Sequence, residues 1–283
     1  MQDLYNTLCS KYLHDDKVVL SYPIYIPSKG RHDVCSTANV MSLNKINYSI
    51  VVEPQDYNLY QKQYGLCKYA KVVCMDKNDM GIAYVRNFIK QHAQNNSYDF
   101  MWVIDDNARY FEYRADGSSK SRIKTSPKPM MYIIEQICKE YVNIGAAGMK
   151  HDIFAWTEKT DFNLNRQVYS CVLLKVDSGC DYREGTVEDT DYSLQLLSKQ
   201  LCTIVFTRLL IVKKTTMKVK GGNTEITYAG NGRLNRSLKL QSDWPQAHFK
   251  LTEQYGRVKI KPSRIWRTFS QVPMTGTEQT IFD

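Results

Sequence analysis

The 283-residue chain has no apolar run near the roughly 18 residues that would cross a bilayer, so no membrane span is expected. Its opening stretch, MQDLYNTLCSKYLHDDK, lacks the apolar centre of a secretory signal. The eight cysteines, at 9, 35, 67, 74, 138, 171, 180 and 202, form no C-x-x-C and no paired spacing. That pattern speaks against a zinc ribbon or a disulfide framework, and for free thiols in a reducing cytoplasm. In a viral protein, this would be the cytoplasm of the host cell. No internal repeat is visible, and the loop after the first apolar segment lacks a G-x-G-T pattern. What the chain does contain is 43% hydrophobic and 12% aromatic residues, enough for a sizeable core in one large α/β domain or two small ones.

The charge is unevenly placed. Residues 1–198 carry 23 Lys and Arg against 24 Asp and Glu, a net of −1, whereas residues 199–283 carry 15 against 5, a net of +10. An excess spread over a whole segment suggests a polyanion partner held by the C-terminal third, the plainer alternative being a solvated basic face.

Along the chain, short β-rich apolar runs alternate with amphipathic stretches. Strands are predicted at 18–26, 48–52, 70–74 and 101–104, with helices near 33–43, 55–64 and 81–92 between them. This alternation predicts a parallel sheet with right-handed crossovers. Gly65 is expected to cap the second helix, and a hairpin is expected around 111–118. Gly145-Ala146-Ala147-Gly148 reads as a small-residue turn, between a helix at 129–142 and a strand at 168–176. A further strand is predicted at 202–212. The order is looser beyond Lys213, where Gly221-Gly222, Gly230 and Gly232 punctuate a basic tail.

The chemistry gathers at the ends of these segments. Met101-Trp102-Val103-Ile104 reads as a strand buried on both faces, and it stops on Asp105-Asp106-Asn107. In an open α/β sheet the ligand crevice lies outside the carboxyl ends of the strands. Adjacent carboxylates there call for a counter-charge, and hard oxygens suit Mg²⁺ or Mn²⁺. A polar loop after a core strand explains the same residues without a ligand. Pro27-Ser28-Lys29-Gly30-Arg31 follows the first strand, with a composition that suits phosphates or a base; an ordinary turn is the alternative. Glu53 closes the second strand and Asp76 follows the third. Glu188-Asp189-Thr190-Asp191 opens a helix, where free N–H groups and the dipole stabilise carboxylates.

Together these pieces resemble the GT-A fold of nucleotide-sugar glycosyltransferases over roughly residues 18–212. The runs IPSKGR, GIAYVRN, IDDN and VEDTDYSLQL are similar to those of the TET-associated glycosyltransferases, which phages use to decorate hydroxylated DNA bases. The resemblance implies a GT-A type, Rossmann-like α/β fold with a mixed, mostly parallel sheet flanked by helices. A catalytic core would span 1–212, and a basic extension over 213–283 would pack on it and contact the acceptor. By the same resemblance, Asp189, with Glu188, would supply the catalytic base of an inverting reaction. The donor would be held by Pro27, Ser28, Lys29, Arg31, Glu53, Asp76, Arg86, Asn87 and Asp105. A Mn²⁺ or Mg²⁺ ion would be held by Asp106, Asn107 and a late ligand, His248. The implied reaction moves a sugar from a UDP-sugar to a hydroxymethyl pyrimidine, such as hydroxymethylcytosine, in bacteriophage DNA. The enzyme would be a monomer or weak dimer.

The residues support this chemistry independently. A departing diphosphate needs its charge neutralised, by a metal or by cations such as Arg86 and Lys29. The acceptor hydroxyl must lose a proton to a carboxylate. In Val258-Lys259-Ile260-Lys261-Pro262-Ser263-Arg264-Ile265-Trp266-Arg267, cations alternate with apolar and aromatic residues, as phosphate and base contacts would require. Rival readings are a GT-A transferase with a glycan or protein acceptor, a nucleotidyltransferase making a sugar nucleotide, and a non-catalytic DNA-binding module. The last leaves both acidic turns without a purpose.

Overall fold

The computed structural model describes residues 1–115, 121–214, 231–247, 249–254, 257–261 and 270–276. The first half follows the predicted alternation: α1 (Gln2–Tyr12), β1 (Ile24–Pro27), α2 (Ser36–Leu43), β2 (Tyr48–Val52), α3 (Tyr57–Tyr64), β3 (Ala70–Cys74), α4 (Gly81–Asn95) and β4 (Phe100–Ile104). A hairpin of β5 (Ala108–Arg114) and β6 (Arg122–Thr125) follows, then α5 (Pro127–Glu140), which Ser126 caps by accepting from the Lys128 N–H at 3.3 Å. Next come β7 (Ile144–His151), β8 (Phe162–Leu164), β9 (Cys171–Lys175), α6 (Glu188–Ser198), β10 (Cys202–Lys213) and α7 (Gly232–Asp243). The backbone of β11 (Lys250–Gln254) and β12 (Arg257–Lys261) forms a separate antiparallel ribbon.

The main sheet runs β3-β2-β1-β4-β9-β7-β10-β5-β6, with β8 on β10. Pairing is parallel from β3 through β4 and between β7 and β10, so most strands point one way, while β9, β5 and β8 run against them. The mixed, mostly parallel sheet expected from the sequence is therefore present. Alternation along β4 divides the core between the faces of the sheet. Trp102 and Ile104 join Tyr5, Ile26 and Ile134 on one side, and Met101 and Val103 join Ile89, Val172 and Leu196 on the other. Trp102 also donates its indole N–H to Glu135 Oε1 at 2.9 Å, satisfying a buried carboxylate beneath the sheet.

One local expectation is corrected. Gly145-Ala146-Ala147-Gly148 is the interior of β7 and not a turn. The small residues are there because neighbours press in: a Cβ on Gly148 would stand 2.5 Å from the Cys171 carbonyl oxygen, and one on Gly145 2.8 Å from Leu196 Cδ2. Gly65 caps α3 as expected, but in right-handed backbone at φ −61 and not in the left-handed conformation. There, the Gln61 carbonyl oxygen lies 2.5 Å from where a Cβ would be.

Two described segments of the C-terminal part, α7 and the stretch at 272–274, contact this core. Leu194 and Leu197 of α6 meet Leu240 and Trp244 of α7 and its exit. Farther on, Asn143 donates to the Val272 carbonyl and accepts from the Met274 N–H, both at 2.8 Å. Lys259 and Lys261 lie on β12, whereas Arg264 and Trp266 fall outside the described residues. Among the described residues, no helix is long and apolar enough to cross a membrane.

Candidate active site

A cleft of about 470 Å³ opens at the carboxyl edge of the sheet. The ends of β1, β2, β4, β7 and β10, the residues before β9 and the first turns of α4 and α6 all deliver side chains to it. Of the sequence-predicted residues, Pro27, Ser28, Lys29, Arg31, Glu53, Arg86, Asp105, Asp106, Asn107, Glu188 and Asp189 line it. Asp76 does not; it is exposed and accepts from the Tyr84 hydroxyl. Asn87 does not either. Its amide exchanges two 2.8 Å hydrogen bonds with the Tyr182 backbone, which fixes the Tyr182 ring with the Arg86 guanidinium 5.0 Å above its centre. His248 lies outside the described residues.

The acidic turn is held from three directions. Thr37, fully buried on α2, donates its hydroxyl to the Asp105 carbonyl and accepts the Ala108 N–H at 2.9 Å. Asn107 is tied to the end of β10 by a Lys214 N–H to Asn107 carbonyl bond of 3.0 Å and an Asn107 Nδ2 to Lys214 carbonyl bond of 3.2 Å. The Asp106 carboxylate accepts from Arg31 Nη1 and from Ser28 Oγ, each at 2.7 Å. Tyr60 braces that loop through Ser28 Oγ at 2.7 Å and the Arg31 N–H at 3.0 Å. Gly30, at φ +61, allows the tight bend.

Each of the five cleft carboxylates is paired with a cation that also lines the cleft. Glu53 meets Lys29 at 2.9 Å and Asp106 meets Arg31 at 2.7 Å. Asp105 pairs with Lys213, Asp189 with Arg86, and Glu188 with Arg236. The last three partners come from positions 48 to 108 residues distant in sequence, and Lys213 and Arg236 carry no sequence motif. The signal that could have found Lys213 is its place as the cation ending a long apolar strand. A register shift between Val212 and Lys213 re-aims that side chain into the cleft, where it also donates to Ser170 Oγ at 2.7 Å.

Burial pushes the Asp105 carboxyl up, but Lys213 and then Arg86 outweigh it, and the net shift is downward. In Asp106, burial prevails over Arg31 and Ser28, and its affinity for a proton is raised. Asp189 is pushed up to about 6, chiefly by burial and further by Glu188, with Arg86 opposing. A carboxyl so placed is ionised at neutral pH yet basic enough to accept a proton. Asp191, the third carboxylate of the turn, is fully buried and faces away. It accepts from Trp244 Nε1 and Gln195 Nε2 at 2.7 Å and pairs with Arg183. His151 at the end of β7 also lines the cleft, its proton affinity lowered by burial and by Lys213.

One buried oxygen at the acidic turn bears on whether a cation fits there. Asn107 Oδ1 is buried and has no hydrogen-bond partner, beside two carboxylates. Among the described residues no three His, Cys, Asp or Glu side chains converge. Mg²⁺, however, takes one or two carboxylates and completes its shell with phosphate oxygens and water, so this sparse set fits it.

Comparison with known proteins bears on this arrangement. No curated protein matches the chain. Among solved structures, it is similar to GalNAc-T7 with UDP, GalNAc and Mn²⁺, at 9% identity and a TM-score of 0.45, covering 70% of this chain and 44% of that one. The chain thus spans less than half the length of GalNAc-T7. It is also similar to residues 1–349 of TarS from S. aureus, at 11% identity and a TM-score of 0.44, covering 81% and 79% of the two chains. A putative glucose-1-phosphate thymidylyltransferase from Bacillus anthracis, in complex with a sucrose, matches at 12% identity and a TM-score of 0.42, covering 76% and 96%. The profile of the TET-associated glycosyltransferases matches residues 22–222, which include every described residue of the cleft except Arg236, and the chain belongs to that family.

Proposed function

We propose that this cleft transfers a sugar from a UDP-sugar to the hydroxyl of a hydroxymethylated pyrimidine in DNA, with inversion at the sugar. The observation that carries the reading is Asp189, a carboxyl poised near 6 in the middle of a cleft whose other groups are suited to a diphosphate. The nucleotide lies toward β1 and β2, where Glu53 is held by Lys29 and by Gln55 Nε2 at 2.6 Å. The acceptor approaches from the side of β7 and β10. Its oxygen forms the new bond to the anomeric carbon as the bond from that carbon to the diphosphate oxygen breaks. Asp189 takes the hydroxyl proton. Arg86 holds the Asp189 carboxylate in place and lies close enough to the cleft to offset charge on the departing UDP.

A divalent cation at the acidic turn would be held by Asp105 and Asn107, while Asp106 remains on Arg31 and Ser28. When bound, Mg²⁺ or Mn²⁺ supplies charge neutralisation at the leaving diphosphate. A DNA acceptor is supported by the family and by the +10 net charge of residues 199–283. The test is incubation with a panel of nucleotide sugars and DNA containing hydroxymethylcytosine, followed by digestion and nucleoside mass spectrometry. A mass increment of one hexose or related sugar on the modified base is expected. Sugar transfer to glycans or peptides but never to DNA would overturn the acceptor assignment.

A further inference from the structure

The turn after β7 exposes three large apolar side chains within four residues: Ile153 is 55% exposed, Phe154 52% and Trp156 63%. Single exposed apolar residues are ordinary, whereas a cluster beside a functional cleft marks an interaction surface. Ile153 and Phe154 form part of the cleft lining and follow β7, which β4 and β9 separate from β1 and β2 in the sheet.

The backbone of this turn is held firmly from below. Arg114, buried inside the sheet, donates to the Ala155 carbonyl at 2.8 Å and to the Glu158 carbonyl at 3.3 Å. Arg122 donates to the Asp152 carbonyl at 3.1 Å and sets its guanidinium 4.8 Å from the centre of the Trp156 ring. The exposed side chains are thus presented on a fixed scaffold. The same β5–β6 hairpin repeats the pairing of ring and cation at Tyr110, with Lys124 at 5.2 Å from its centre. Arg122 is already paired with Glu112 and Asp152, at 3.4 and 3.5 Å, and so braces the ring, while the exposed Lys124 and the rings suit a single strand of nucleic acid, whose phosphates need counter-charge and whose bases stack.

We propose that the 152–156 turn is the acceptor platform, with Phe154 and Trp156 stacking an unpaired base at the cleft mouth and the β5–β6 hairpin following the adjoining phosphates. This rests on the DNA reading above and assigns that acceptor to particular residues. Ile153 and Phe154 line the same cleft as Asp189, so a base stacked on this turn stands at the mouth that its exocyclic hydroxymethyl group has to enter.

The test measures binding of the full-length protein to a fluorescein-labelled single-stranded oligonucleotide with one 5-hydroxymethylcytosine, by anisotropy at low salt. A second oligonucleotide carries 2-aminopurine beside the modified base, to report stacking. Phe154→Ala combined with Trp156→Ala is expected to weaken binding about tenfold or more and to abolish quenching of 2-aminopurine. Trp156→Phe should keep most of both, and Trp156→Ala alone, at a residue outside the cleft lining, should bind UDP as wild type does. If the wild-type protein binds and the double variant binds equally well, the platform is overturned while the DNA reading stands. No binding by the wild-type protein would overturn both. A wild-type dimer that the double variant splits, seen by sedimentation, would make the turn a self-interface and overturn the platform.

Discussion

Replacing Asp189 by Asn keeps the size of the side chain and removes its ability to accept a proton. A general base typically contributes 10² to 10⁴ in rate, so transfer by Asp189→Asn should be at least about a hundredfold slower. Because the carboxyl is pushed up to about 6, the wild-type rate should fall about tenfold per pH unit below that value. Stability carries a second signature. A carboxyl whose folded pKa lies above its unfolded value of 3.8 stabilises the fold fully below 3.8, and that stability is lost as pH rises through about 6. A shift of about two units corresponds to about 3 kcal/mol at most, for a side chain that keeps 22% exposure. The unfolding free energy of wild type minus that of Asp189→Asn should therefore fall by up to about 3 kcal/mol between pH 4 and pH 7. Single-turnover transfer to a hydroxymethylated oligonucleotide and urea unfolding at each pH would measure the two effects. A variant that turns over at near wild-type rate, or a rate that stays flat from pH 5 to pH 8, would refute the assignment of Asp189 as base.

Other predictions concern the turn, the metal and the tail. Asp106→Ala takes a carboxylate partner from Arg31, whose side chain is 8% exposed, and should cost about 3 kcal/mol in thermal or urea unfolding. An unchanged midpoint would show that Arg31 finds water or another partner. EDTA should stop transfer, and Mn²⁺ or Mg²⁺ should restore it; full activity in excess chelator would remove the metal from the reaction. Lowering salt should strengthen DNA binding steeply, and charge reversal of Lys259, Lys261 and Arg264 together should flatten that dependence. An affinity that ignores salt in the wild-type protein would assign the basic tail to solvent.

Much of the architecture was legible because its signals are local. The buried strand ending at Asp105, the alternation through β4 and the acidic start of α6 all depend on short-range patterns of apolar and polar residues. Gly145 to Gly148 misled because glycine in a sequence reports only permissiveness. Whether it permits a turn or the close approach of another strand depends on neighbours such as Cys171 and Leu196.

The sequence by itself determined that two acidic turns would stand at the ends of buried elements, since apolar runs must be covered and charged residues follow them inside only with partners. Only the tertiary structure decided which cation answers each carboxylate. Lys213 reaches Asp105 because β10 and β5 pair with a shifted register, and Arg236 reaches Glu188 because α7 docks on Leu194 and Leu197. Asp189 and Asp191 are two residues apart and chemically identical. The helical turn sends one into the cleft beside Arg86 and the other into a buried set of donors at Trp244. Their different roles follow from distance and burial in the folded chain, which no local pattern encodes.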